Sequence, residues 1–392
     1  MELYLFNPDS DLALANNEAN YIAPASARRM AQDMALLPIW YAAPGSAVLA
    51  PSAYNADFLK RMRELFGLQV QLVTEPELPD YAEARIVPWG WNPAIRRFFL
   101  KGGVREDRLP SPRLLAEYRL LSSRLQAVAV TRRMTDRYPE CTCGEHTLLN
   151  NIADCERTVN VMHACLLKVP WSGSGKGLNW CLLGFTKPVS NWCERVLREQ
   201  GCLTAEPIYN KVKDFALEFY SDGQGEVRFA GYSVFSTNEH GAYTGNLLAS
   251  DGQIEESIAC CLSLEKLTGI REALRAELAS IYGNTYTGYL GVDMMVCRSD
   301  KENGYRVHPC VEINMRMNMG VVARLFYDRF VAPGSKGCFA VEYVPDNETL
   351  RARHKQDMHD YPLMVEQGRL ASGYLPLVPV TGKSCYRAYV RI

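Results

Sequence analysis

No stretch of the chain offers the ~20 consecutive apolar residues that a membrane-spanning helix needs. No charge of either sign prevails: Lys and Arg number 43, Asp and Glu 44, a net charge of −1. The first lack argues against a membrane protein. The second argues against a partner held by long-range charge, such as nucleic acid or an anionic lipid surface. Any anionic ligand therefore needs a locally built site. The N-terminus has no basic stretch of the kind that opens a secretory signal, and Asp9 and Asp11 interrupt its apolar residues. A regular cysteine framework is missing as well. The thirteen cysteines are odd in number and scattered, with apolar neighbours at Cys165, Cys181, Cys202 and Cys297. That pattern reads as reduced core thiols of a cytoplasmic protein. Cys141, Cys143 and His146 lie close together, but a second pair to complete a tetrahedral zinc site is missing, and a loop with incidental cysteines is the better reading. Internal repeats and low-complexity tracts are absent too.

What is there is an ordinary globular composition, 47% hydrophobic and 22% charged. A length of 392 residues suggests two to three domains and a chain that needs neither disulfides nor metal to hold its core. The apolar run at residues 2–6 reads as a buried strand that delivers the polar loop Asn7-Pro-Asp9-Ser-Asp11. Helices are expected over 25–37 and 57–66, with strands over 68–73 and 85–88. This alternation suggests an open α/β sheet, whose ligands sit beyond the carboxyl ends of strands, here near Trp91 and Asn92. Leu114, Leu115, Tyr118, Leu121 and Leu125 predict one helix over 112–125, and the polar stretch 132–160 reads as a linker with some helix. A further helix is expected over 192–200, opened by a capping pair of Asn191 and Glu194 and closed by Gly201. Strands follow over 202–206, 214–220 and 226–235, then a helix ending at Gly283. Two strands over 289–297 and 305–314 flank a turn, and a helix covers 319–330. The last sixty residues mix strands and loops without a readable role.

Three constellations carry chemistry. In the first, an apolar strand containing Lys168 runs into Ser172-Gly173-Ser174-Gly175-Lys176-Gly177. Glycines let the backbone approach a phosphate, consecutive N–H groups form an anion-binding concavity, and Lys176 adds charge. The segment is not a Walker A motif, since Gly177 stands where Ser or Thr would hold magnesium. A lysine inside an apolar strand needs an anionic partner, either a ligand or a buried carboxylate. In the second, Gly-Val-Asp293 and Glu312-Ile-Asn314-Met-Arg316 lie on neighbouring predicted strands. Glu312 and Asn314 share a face, and pairing through the hairpin would bring Asp293 to them. Two carboxylates and an amide oxygen suit magnesium. In the third, Glu206-Pro-Ile208-Tyr209, followed by Asp214, offers backbone groups to a base edge and a carboxylate to ribose hydroxyls.

Taken in order, these pieces resemble the ATP-grasp superfamily over about residues 112–325, the Glu-x-Asn-x-Arg element preceded by Gly-Val-Asp being the most specific part. The resemblance implies an α/β protein with α+β lobes: an ATP-grasp fold with an N-terminal Rossmann-like domain. The division would be 1–111 for that domain, 112–205 for the first lobe and 206–392 for the second. It implies ATP and Mg2+ as cofactors. Lys168 would meet the α-phosphate and the adenine side, the loop from Ser172 to Gly177 the β- and γ-phosphates, Glu206 and Ile208 the adenine, and Asp214 the ribose. Arg124 stands where the family usually carries a phosphate-binding lysine. Asp293, Glu312 and Asn314 would hold magnesium, while Arg316 and Lys176 would act on the transferring phosphoryl group.

The implied reaction activates a carboxylate with the γ-phosphate for attack by an amine or thiol. A kinase acting on a hydroxyl and a non-catalytic ATP binder are the alternatives. The partners would be a small carboxylate and a small amine, with neither nucleic acid nor membrane involved. Acceptor candidates are Asn7, Asp9, Asp11, Trp91, Asn92, Asn238 and His240. Neither His163 nor His308 needs a catalytic role.

Overall fold

The computed structural model describes residues 1–51, 54–172, 177–238, 243–299 and 304–392. Four short strands open the chain: β1 (Glu2–Leu5), β2 (Ser46–Leu49), β3 (Val70–Val73) and β4 (Arg85–Pro88). They pair in parallel in the order β3-β2-β1-β4. Alternate residues serve opposite faces, as the period of two requires. Leu3, Ala47 and Ile86 enter one core with Phe99, while Tyr4 and Val48 enter another with Trp40. The expected helix over 25–37 ends at Asp33, and Leu37–Trp40 form a tight turn around Pro38. The reason is burial: Leu36, Leu37 and Trp40 all turn into the core, which a continuing helix would not permit, and the Asp33 carboxylate accepts the backbone N–H groups of Cys385 and Tyr386.

The second sheet is small and antiparallel: β5 (Thr147–Leu149), β6 (Cys165–Lys168), β7 (Leu178–Cys181) and β8 (Leu203–Pro207), in the order β5-β8-β6-β7. Its core holds Cys155, Cys165, Leu167, Cys193 and Leu203. The stretch read as a linker thus contains a strand and the helix Ile152–Met162, which Asn151 caps by accepting the Asp154 N–H at 2.9 Å. Only Cys155 and Val159 of that helix are buried, too few positions to print a clear period. The next helix, Lys187–Gln200, starts well before 192, with Thr186 at its N-cap and Pro188 in its first turn. Asn191 and Glu194 lie inside it, so they are not a capping pair. Gly201 closes it as expected, at φ +82°.

The third sheet has eight strands. β9 (Lys211–Asp222), β10 (Val227–Thr237), β11 (Tyr243–Leu248), β12 (Thr287–Ser299), β13 (Gly304–Asn314) and β14 (Gly337–Tyr343) are followed by a two-stranded ribbon, β15 (Met364–Glu366) with β16 (Arg369–Ser372), then β17 (Tyr374–Pro376) and β18 (Tyr386–Arg391). The order is β13-β12-β9-β10-β11-β14-β18-β17. The final sixty residues therefore extend this sheet. The predicted helix over 112–125 is two helices, Pro112–Leu121 and Leu125–Arg137, with a break at 122–124. Both contribute to the core beneath the large sheet, where Leu115, Tyr118, Ala127 and Val130 meet Phe215, Leu217 and Val292. The helix Met319–Phe330 packs Phe326 against Trp40 (ring centroids 5.2 Å apart) in a core shared with Val390. N-terminal and C-terminal segments are thereby packed into one body. Among the described residues no helix is long and apolar enough to cross a membrane.

Candidate active site

β12 and β13 pair antiparallel with Asp293 directly opposite Glu312, and the register shifts just beyond Asp293. Side chains opposed in this way share a face, so the two carboxyls meet as the sequence predicted. Asn314 sits opposite Gly291 and donates from Nδ2 to Asp293 Oδ2 at 3.1 Å. Asp293 is partly buried. Burial first, and the Glu312 charge second, push its carboxyl up to about 7. β13 ends at Asn314, so Arg316 lies past the strand rather than along it. Its guanidinium turns to Asp11 of the N-terminal domain, with Nε at 2.8 Å and Nη2 at 2.7 Å from Oδ2.

Arg124 occupies the break between the two helices and is buried. Nη2 lies 2.8 Å from Glu312 Oε1, Nη1 donates to the Val169 carbonyl at 2.6 Å, and both reach Ser172 Oγ at 3.3 Å. The guanidinium thus ties the start of the Gly-rich loop to the carboxylate pair. A narrow cleft opens here, lined by Asp11, Ser122, Trp171, Ser172, Glu312 and Asn314. Gly177, at the far end of the loop, takes φ +75°, and a Cβ there would lie 2.5 Å from Val169 Cγ2. Only glycine lets the chain return this close. Gly173, Ser174, Gly175 and Lys176 lie outside the described residues.

Lys168 is buried at the end of β6, and its ammonium lies 2.5 Å from Glu206 Oε1 on β8. The partner that a lysine in an apolar strand demands is therefore a carboxylate of the same lobe. Beyond β8, Ile208 is exposed, and Asp214 pairs with Lys211 at 2.5 Å. Of the acceptor candidates, Asp11 reaches the cleft. Asn7 instead holds the Gly90 carbonyl at 2.8 Å, and Asn92 caps the helix Pro93–Lys101. Asp9 is pushed up from the ordinary carboxylate range, chiefly by burial. Trp91 packs with the apolar cores, Asn238 follows β10, and His240 lies outside the described residues.

Two features escaped the sequence. Glu218, inside β9, is fully buried, accepts from Asn318 Nδ2 at 2.9 Å, and is pushed up to about 8, mainly by burial. Its signal was a lone acid within an apolar strand. The second is a histidine pair. The ring of His146 meets that of His308 edge-on, with centroids 5.3 Å apart. His146 Nδ1 stands 3.4 Å from Glu206 Oε2, though poorly aligned for a hydrogen bond. Burial pushes both imidazoles down, His146 to about 4.

No family model and no curated protein matches the chain. Solved structures do. Biotin carboxylase from Campylobacter jejuni, a β-γ-ATP complex, is 12% identical with a TM-score of 0.54, over 100% of this chain and 87% of that one. The biotin carboxylase domain of Hydrogenobacter thermophilus 2-oxoglutarate carboxylase, bound to MgADP, ADP and bicarbonate, is 13% identical with a TM-score of 0.51, over 88% of this chain and 86% of that one. At such identities the likeness is one of fold. With its leading parallel sheet, small antiparallel lobe and large antiparallel sheet, the chain has the ATP-grasp fold of these carboxylases.

Proposed function

We propose that the chain is a Mg-ATP-dependent ligase that activates a carboxylate as an acyl phosphate for attack by an amine or thiol. The observation that carries this reading is the opposed pair Asp293–Glu312, with Asn314 beside it, at a cleft lined by Glu312, Asn314, Ser172 and Asp11, with Arg124 paired to Glu312 and Arg316 to Asp11. Two carboxyls facing each other in apolar surroundings repel when both ionise, and a divalent cation relieves this. The oxygen donor set fits magnesium, with Asp293, Glu312 and Asn314 as its holders. When bound, magnesium neutralises charge on phosphoryl oxygens.

The protein's own residues then position and neutralise. Arg124 and Ser172 line the phosphate side. Arg316, fixed by Asp11, faces the negative charge that develops as phosphoryl and carboxylate oxygens approach. ATP is a substrate here. The substrate carboxylate oxygen forms the new P–O bond as the bond to ADP breaks. The amine then forms the C–N bond, phosphate leaves, and a proton is released. Lys168 and Glu206 border the base and α-phosphate, and Asp214 the ribose. Small carboxylates and amines are the partners in this reading, without nucleic acid or membrane. The thirteen free thiols accord with a cytoplasmic location.

The test is an ADP-release screen against carboxylate and amine pools, followed by hydroxylamine in place of the amine. The ligase yields ADP and a hydroxamate. AMP and pyrophosphate would defeat the acyl-phosphate route, and ADP formed only with a hydroxyl acceptor would establish a kinase.

A further inference from the structure

We propose that His146, Glu206 and His308 form a second, transition-metal site of the zinc class, separate from the magnesium ligands and sharing Glu206 with the proposed nucleotide site. One ligand atom from each residue lies within 4.8 Å of the others. All three side chains are at least nine-tenths buried. Among the described residues, both nitrogens of both imidazoles and Glu206 Oε2 have no hydrogen-bond partner. Five orphaned polar atoms in one buried spot are a cost that native structures rarely leave standing, and a bound ion answers it.

Two imidazoles and a carboxylate are a donor set that zinc accepts with one position left open. At bond lengths of about 2.0–2.1 Å, tetrahedral ligand atoms stand roughly 3.4 Å apart. Small ring rotations close the remaining gap. Glu206 divides its work: Oε1 serves Lys168, and Oε2 faces His146. The Lys168 charge lowers the affinity below that of the same three ligands standing alone. The ion would join three separate segments: the loop before β5, the end of β8 in the small lobe, and β13 of the large sheet. Occupancy would cross-link the small sheet to the large one. The nearby thiols of Cys141 and Cys143 play no part.

The experiment uses the full chain, free of nucleotide and stripped with chelator, then loaded with Zn2+. Expected are one equivalent of zinc resisting dialysis, a raised melting temperature, and an X-ray absorption spectrum with nitrogen and oxygen neighbours including imidazole, and no sulfur shell. His308→Asn and His146→Asn should each weaken uptake by about tenfold or more, as loss of a ligand does, while Cys143→Ser leaves it unchanged. Should the histidine variants fail to fold, the spectrum of the parent decides alone. A sulfur neighbour, uptake indifferent to both histidines, or no stoichiometric uptake would overturn the site. Because nucleotide is left out, failure here leaves the ligase reading standing, and failure of that reading leaves the zinc result intact.

Discussion

Asp293 owes its altered acidity to its surroundings, and this makes the proposed magnesium pair testable without any substrate. Folded, it keeps its proton up to about pH 7; the ordinary value is 3.8. Between those values the folded state holds more protons than the unfolded state, so stability falls as pH rises through that window. Asp293→Asn should remove this fall. In urea unfolding the variant should match the parent near pH 4 and exceed it by roughly 2–4 kcal/mol near pH 8, since each pKa unit is worth about 1.4 kcal/mol. An unchanged pH slope would mean that Glu312 and the apolar walls do not act on Asp293 as described. Lys168 and Glu206 pose the opposite case. Both are nearly fully buried, so Lys168→Met strands a carboxylate and should cost about 3–5 kcal/mol. Replacing both, as Lys168→Met with Glu206→Leu, should cost much less. Equal losses in the single and double variants would show that the two do not act as a pair.

The elements around the site were legible to different degrees, for physical reasons. The hairpin β12–β13 was readable because Asp293, Glu312 and Asn314 interrupt apolar strands at positions that share one face. The helix Met319–Phe330 was readable at both ends, with Asn318 capping it by accepting the Val321 N–H at 2.9 Å. The break at 122–124 was not. Leu121 and Leu125 fit one helical stripe, and what interrupts it is Arg124 reaching Val169, Ser172 and Glu312 from distant segments. Long-range pairing also hid β14, β17 and β18, which are strands because the large sheet offers them an edge. The histidine pair was invisible because separate elements bring it together. Glu218 sets a further element-scale test. A Cβ on Gly320, in the first turn of that helix, would collide with Glu218 Oε1 and with Ser233 Oγ. All three residues are buried, so Gly320→Ala should cost about 1–3 kcal/mol by overpacking. A melting temperature equal to the parent's would mean that the helix and β9 are less tightly apposed than they are drawn here.

At the scale of the molecule, separate parts of the chain meet near one cleft. The helix Ser10–Asn16 that follows β1 contributes Asp11, the break at 122–124 contributes Arg124, and the large sheet contributes the carboxylate pair. The Arg124–Glu312 and Arg316–Asp11 contacts are the charged links that cross between them. The small lobe brings Lys168 and the start of the Gly-rich loop. In the proposed reading a chain of net charge −1 needs no overall positive field to hold a triphosphate, because the cations are local and a divalent ion would supply the rest. The most direct test of that claim is calorimetric titration of ATP into the parent and into Glu312→Gln, each with and without Mg2+. Mg2+ should tighten ATP binding to the parent by about tenfold or more, as expected for charge-assisted contacts. That gain should vanish in Glu312→Gln. An equal Mg2+ effect on both proteins, or no binding of ATP to the parent, would contradict the account.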